Sequence, residues 1–209
     1  TDSAGAGAAS AGAGSGNAWL TEVSAQLGIK NPPGPYADGT FKTPEITPGG
    51  VALFDYDNDG RLDILQVVHA APGAFETPAP DRLWHQEADG TFKEVPDAAG
   101  LNDPGFGHGV AVGDIDNDGD LDVYITNYGV NHLYRNDGGR FVDVTQPAGL
   151  EAPFAWSSSA AFFDYDRDGF LDLWVCRFAT FDPNKKCNAS QNPSDLDYCG
   201  PHVFPGLLP

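Results

Sequence analysis

Three short stretches of this chain concentrate carboxylates at one repeated spacing: DYDNDGRLD from Asp55, DIDNDGDLD from Asp114 and DYDRDGFLD from Asp164. Counted from the first aspartate, positions 1, 3, 5 and 9 are aspartate in every copy: Asp55, Asp57, Asp59 and Asp63; Asp114, Asp116, Asp118 and Asp122; Asp164, Asp166, Asp168 and Asp172. Position 6 is always glycine and position 8 always leucine, whereas position 7 varies as Arg61, Asp120 and Phe170. Carboxylates held this close repel and raise one another's pKa unless a cation joins them. Calcium takes six to eight oxygens, and a tight loop delivers them from alternate side chains plus one backbone carbonyl. Glycine permits the bend, and position 7 is free to vary because only its C=O is used. Zinc would call for histidine or cysteine, and none lies inside the loops; magnesium prefers a smaller octahedral site that keeps several waters. The spacing predicts about three calcium ions per chain, held by the four aspartates and the position-7 residue of each copy.

Two other readings of the same loops fail. An EF-hand needs a bidentate glutamate at position 12 and a helix on each side; here position 12 is Gln66, Ile125 or Val175, and the flanks are strand-like. A catalytic centre would differ from its siblings, and these three are alike, so no residue is assigned a catalytic role. Sequence signatures of serine hydrolases, zinc peptidases and P-loop enzymes are absent. His108, Arg135, Trp156 and Arg177 break the repeat pattern. They are the residues an enzyme or a lectin built on this scaffold would draw on, with His108 otherwise a surface or strand-end residue and Trp156 otherwise a core residue.

The elements that must position the loops also repeat. Each loop joins two β-branched and aromatic stretches, as in VALFDYDNDGRLDILQVV (51–68), VAVGDIDNDGDLDVYIT (110–126) and AAFFDYDRDGFLDLWVC (160–176). A second unit alternates with it, LWHQEADGTFKEVPDAAGL (83–101) and LYRNDGGRFVDVTQPAGL (133–150), and its tail end stands once more at WLTEVSAQLGI (19–29). Both units read as strand, turn, strand. Glycine (26) and proline (17) interrupt every window that a helix would need. Two hairpins per period of about 50 to 60 residues predict an all-β fold, a β-propeller or partial propeller of four-stranded blades. Trp84, Tyr134, Trp156 and Trp174 fall mostly at repeat positions and are expected to pack between blades.

The formal charge of −19, with 11 basic residues, argues against nucleic acid as a partner. Three divalent cations would offset roughly six of those charges. No apolar run is long enough to span a membrane. Residues 1–18 form a Gly/Ala/Ser tract that reads as a flexible tail, residues 19–180 carry the blades, and residues 181–209 are a Cys/Pro-rich segment. Cys187 and Cys199 suit a disulfide closing a surface loop, with Cys176 the competing partner for either.

D-x-D-x-D-G-x-x-D between two strands resembles the calcium loop of FG-GAP/VCBS repeats, which integrin α-chain propellers and many exported bacterial proteins carry. In the second copy Phe106-Gly107 stands as the FG of that name, and HAAPG (69–73) is similar to its GAP half. LYRNDGGRFVDVTQPAGL and YCGP (198–201) resemble bacterial relatives of cartilage acidic protein. The resemblance implies a secreted or cell-surface module for adhesion or assembly, stabilised by calcium, that meets a protein or carbohydrate ligand. Millimolar external calcium suits such loops better than cytosolic calcium does. The alternatives are an extracellular propeller lyase or hydrolase acting on polysaccharide or phosphodiester, and a carbohydrate-binding lectin. Three loops fall short of a ring of four to eight blades. The open edges of such an arc invite pairing, either with more of a longer chain or with neighbouring copies as a homo-oligomer or filament.

Overall fold

In the computed structural model the described residues are 20–30, 49–68, 79–103, 105–151, 155–180, 182, 184–188, 195–200 and 203–205. The tail at 1–18 and the HAAPG stretch lie outside them. Strands β1 (Val51–Phe54), β2 (Asp63–Gln66), β3 (Arg82–Gln86) and β4 (Phe92–Glu94) form a four-stranded sheet in chain order, every pair antiparallel. The pattern recurs in β5 (Gly107–Gly113), β6 (Asp122–Gly129), β7 (His132–Asn136) and β8 (Phe141–Asp143). A third hairpin, β9 (Ala155–Phe163) with β10 (Asp172–Arg177), carries the third loop. These are the blades that the repeats predict. The third departs from the expectation, because its sheet contributes two strands among the described residues. It is also tied to the second blade, where Tyr128 and Gly129 of β6 pair with Trp156 and Ala155 of β9.

The loop-bearing hairpin keeps one register in all three copies. The residue before the first aspartate always pairs with the position-9 aspartate: Phe54 with Asp63, Gly113 with Asp122, Phe163 with Asp172. Strand alternation then sends neighbouring side chains to opposite faces. On β6, Val123 and Ile125 join Phe54, Tyr56, Leu65, Leu83, Tyr134 and Phe141 in the core between the first two blades. Tyr124, between them in sequence, packs with Ala111 and Leu133 against Phe162, Leu173 and Val175 of the third. A fully buried leucine such as Leu65 or Leu83 stabilises this layering by about 1.5–3 kcal/mol.

The tail end of a second unit docks on the following blade in two of its three copies. After β4, the turn at Pro96–Gly100 sets Gly100, at φ 103°, against Phe141 of β8. Residues 20–30 do the same one blade earlier, with Phe92 N–H donating to Leu27 C=O at 2.7 Å. The matching glycine after β8, Gly149, faces open space.

One aromatic side chain departs from its sequence reading. Trp84, Tyr134 and Trp156 are buried as expected, but Trp174 is 60% exposed, because β10 has no blade after it among the described residues. His108 stands near the start of β5, a strand-end place as expected, but off the surface. It is buried there, its ring 5.6 Å from Phe106 and 5.7 Å from Trp156. The disulfide joins Cys187 to Cys199 and encloses a short ladder of β11 (Cys187–Asn188) with β12 (Leu196–Asp197), leaving Cys176 an exposed free thiol.

Candidate metal centres

Each loop closes on itself through the same backbone contacts. The position-1 carboxylate accepts from the N–H groups of positions 5 and 6: Asp55 from Asp59 (3.0 Å) and Gly60 (2.8 Å), Asp114 from Asp118 (3.1 Å) and Gly119 (3.0 Å), Asp164 from Asp168 (3.2 Å) and Gly169 (3.1 Å). The turn needs two left-handed residues. Position 6 is glycine at φ 87°, 96° and 92°, and position 4 is Asn58, Asn117 or Arg167 at φ 59°, 61° and 64°. Asparagine tolerates that region better than most side chains, a signal that the sequence reading passed over.

This folding brings positions 1, 3 and 9 together. Asp55, Asp57 and Asp63 offer carboxylate oxygens within 4.8 Å of one another, as do Asp114, Asp116 and Asp122, and Asp164, Asp166 and Asp172. Asp57 Oδ1 is buried and accepts no hydrogen bond, an oxygen in want of a positive partner. Hard oxygen donors that converge in this way fit a calcium-class ion.

Position 5 falls outside these triads. Asp118 and Asp168 accept instead from the position-7 N–H groups at 2.8 Å. Asp59 pairs with Arg61 and lies 2.9 Å from His85 Nε2, and with Asp57 and His85 it makes a further group able to hold a metal. Sequence spacing could not find His85, which reaches the loop from β3. The position-7 side chains point to other work. Arg61 Nε donates to Gln86 C=O (2.7 Å), Asp120 accepts from Asn58 Nδ2 (2.6 Å) and Gly138 N–H (2.8 Å), and Phe170 is exposed.

The position-9 aspartate is the hinge between loop and blade. Asp63 accepts from Tyr56 N–H (3.1 Å) and from Gln86 N–H on β3 (2.8 Å); Asp122 accepts from Ile115 N–H (2.7 Å) and Asn136 N–H on β7 (2.8 Å). Both are fully buried, and burial pushes both carboxyls above the usual range, against those N–H groups, which lower them. Burial, with the charges of Asp57, Asp63 and Asp59 beside it, pushes the Tyr56 hydroxyl up to about 12. Asp172 accepts from Tyr165 N–H (2.7 Å) but is exposed, so the third cluster is the most open of the three.

Successive loops are also tied together. Asn58 reaches Asp120 in the second loop, Asn117 Nδ2 donates to Gly169 C=O in the third (3.0 Å), and Asn136 Nδ2 donates to Tyr56 C=O in the first (2.8 Å).

The FG-GAP-like repeat family matches residues 68–125 and 114–175. Cartilage acidic protein 1 of Mus musculus is 30% identical over 133 residues, covering 59% of this chain and 20% of that protein, and the Homo sapiens protein gives the same figures. The Xenopus tropicalis protein of that name is 37% identical over 76 residues, 35% of this chain and 12% of its own length. This chain thus spans about a fifth of the mouse and human relatives. The first loop precedes both family matches yet repeats their spacing, register and hydrogen bonds.

Proposed function

The chain belongs to the FG-GAP-like repeat family, and on that footing we propose that it is a calcium-stabilised, extracellular, non-enzymatic module that meets a protein or carbohydrate partner at the cell surface. The observation that carries this reading is the threefold recurrence of one carboxylate triad in one strand register. In this reading the aspartates at positions 1, 3, 5 and 9 and the C=O of Arg61, Asp120 and Phe170 are the ligands, and each ion clips together the two strands flanking its loop. Because the unfolded chain offers no preformed site, the binding energy stabilises the fold. Residues 19–180 are the blade region in this reading, residues 1–18 a tail and residues 181–209 a segment closed by its disulfide. That disulfide suits an oxidising compartment. No helix among the described residues is long and apolar enough to cross a membrane.

Three of the four residues that an enzyme would draw on are engaged elsewhere. His108 and Trp156 sit in a buried aromatic cluster, and Arg135 holds Asp137 through bonds of 2.7 and 3.0 Å. A lectin would use exposed aromatics, and Phe163, Tyr165 and Trp174 share one end of the blade stack. Their counterparts Phe54, Tyr56 and Leu65 are buried against the next blade, however, so we assign that end to assembly.

The test is calcium binding with thermal melting after EDTA treatment, on the unaltered chain and on the triple variant Asp57→Asn, Asp116→Asn, Asp166→Asn. The unaltered chain should bind about three more ions than the variant, two tightly and one weakly at the open third loop, with a large rise in Tm. Equal ion counts would remove the calcium reading.

A further inference from the structure

A second polar layer lies away from the loops, where β2 and β6 leave their blades. In the second blade it is self-contained and neutral. Asn131 Oδ1 accepts the Asn127 N–H (2.8 Å), and Asn131 Nδ2 donates to Ser157 Oγ (3.0 Å). In the first blade Asp81 takes the place of Asn131, and its Oδ1 accepts the Val68 N–H (2.8 Å) in the same way. The counterpart of Ser157 is now Gly107, which has no hydroxyl to offer. Asp81 is 4% exposed, and its Oδ2 is buried without a partner.

Two more oxygens nearby are in the same condition. Asp103, 5% exposed, accepts on Oδ1 from Gly105 N–H (3.2 Å) and Asn127 Nδ2 (3.2 Å), while its Oδ2 has no donor. Asn127 is fully buried; its Nδ2 serves Asp103 and Val130 C=O (2.8 Å), and its Oδ1 accepts nothing. Gly107 keeps the space beside them clear. A Cβ there would collide with Val67 Cγ1 and stand 3.4 Å from Val68 C=O and 3.7 Å from Asn127 Oδ1. Burial and the charge of Asp103 together push the Asp81 carboxyl well up, and burial raises that of Asp103. Among the described residues no lysine or arginine pairs with either. The basic group beside them is His132, with Nε2 3.8 Å from Asp103 Oδ1, and the Tyr134 hydroxyl is buried without a partner.

Buried carboxylates with open lone pairs are costly unless a cation or a proton is supplied. The unmatched atoms of Asp81, Asp103 and Asn127 are hard oxygen acceptors, two of them on acids, which suits a calcium-class ion completed by backbone carbonyls or water. We propose that Asp81, Asp103 and Asn127 hold a buried divalent cation between the first two blades, separate from the aspartate loops. The site ties Val68, at the exit of β2, to the entrance of β5.

The experiment counts calcium bound per chain by equilibrium dialysis and elemental analysis. Asp81→Asn installs the residue that the second blade uses at this position, so the fold is retained and the charge removed. Asp81→Asn should bind one ion fewer than the unaltered chain, and the triple loop variant should still bind one. An Asp81→Asn chain that binds as many ions as the unaltered protein would overturn the proposal and leave a proton shared by the two acids. Should Asp81→Asn not fold, Asp103→Asn is read in the same way. Loss of loop binding alone, with one ion still removed by Asp81→Asn, would count against the loops and not against this site.

Discussion

At the scale of the residue, the position-9 aspartate makes the loops part of the fold. Asp63 and Asp122 each receive one N–H from their own loop and one from the neighbouring strand, in full burial. Their raised carboxyl pKa values set the sign of a pH effect. An acid whose folded value lies above its unfolded value of about 3.9 binds protons in the folded state first as the pH falls. Acidification through the raised values therefore stabilises the metal-free form, and that contribution is lost again as the pH rises through them. The same protons compete with a bound cation. The calcium-induced rise in Tm should shrink as the pH is lowered from about 7 to about 5, toward the ordinary carboxylate range. Melts in calcium and in EDTA across that window would show it, and a constant difference would exclude these carboxylates as ligands.

At the scale of the element, the first two blades are each closed by a turn from the stretch before them. Gly100 and Gly149 occupy equivalent turns, both at positive φ, 103° and 70°. They differ in what lies opposite. A Cβ on Gly100 would stand 2.5 Å from the Phe141 carbonyl oxygen, whereas one on Gly149 meets nothing within 4 Å. Alanine at either position incurs the left-handed strain, but only at Gly100 must it also push β8 away. Gly100→Ala should lower Tm by about 2–4 °C for each kcal/mol of that added clash, relative to Gly149→Ala. Equal melting of the two variants would mean that the turn does not hold the following blade.

At the scale of the whole molecule, the blades stack with one orientation, and among the described residues the last face is uncovered. Phe54 and Tyr56 of the first blade meet Phe141 of the second, with ring centroids 6.3 and 6.4 Å away. Their third-blade counterparts Phe163 and Tyr165 are 40% and 79% exposed, beside the exposed Trp174. An apolar patch of this kind drives association. We expect sizing by light scattering to give concentration-dependent association of the unaltered chain, abolished by Tyr165→Ser with Trp174→Ser. A chain that stays monomeric at every concentration would assign the face to a further blade of the same repeat and not to a neighbouring copy.

The sequence by itself determined the local features: where the strands turn, which carboxylates converge, and that the unit repeats. Those follow from spacing, because a loop of nine residues between paired strands has few ways to close, and glycine at position 6 narrows them further. The disulfide partners were narrowed but not chosen by the sequence, since three cysteines leave the choice open until the chain is folded. Only the tertiary structure decided which repeat positions are covered. Leu65, Tyr124 and Trp174 are equivalent in sequence, yet the first two are buried and the third is not, because burial belongs to the neighbour that a blade packs against. The same holds for His85 at the first loop and for Asp81, Asp103 and Asn127 between the blades. These groups come from separate strands and turns, and no spacing along the chain brings them together.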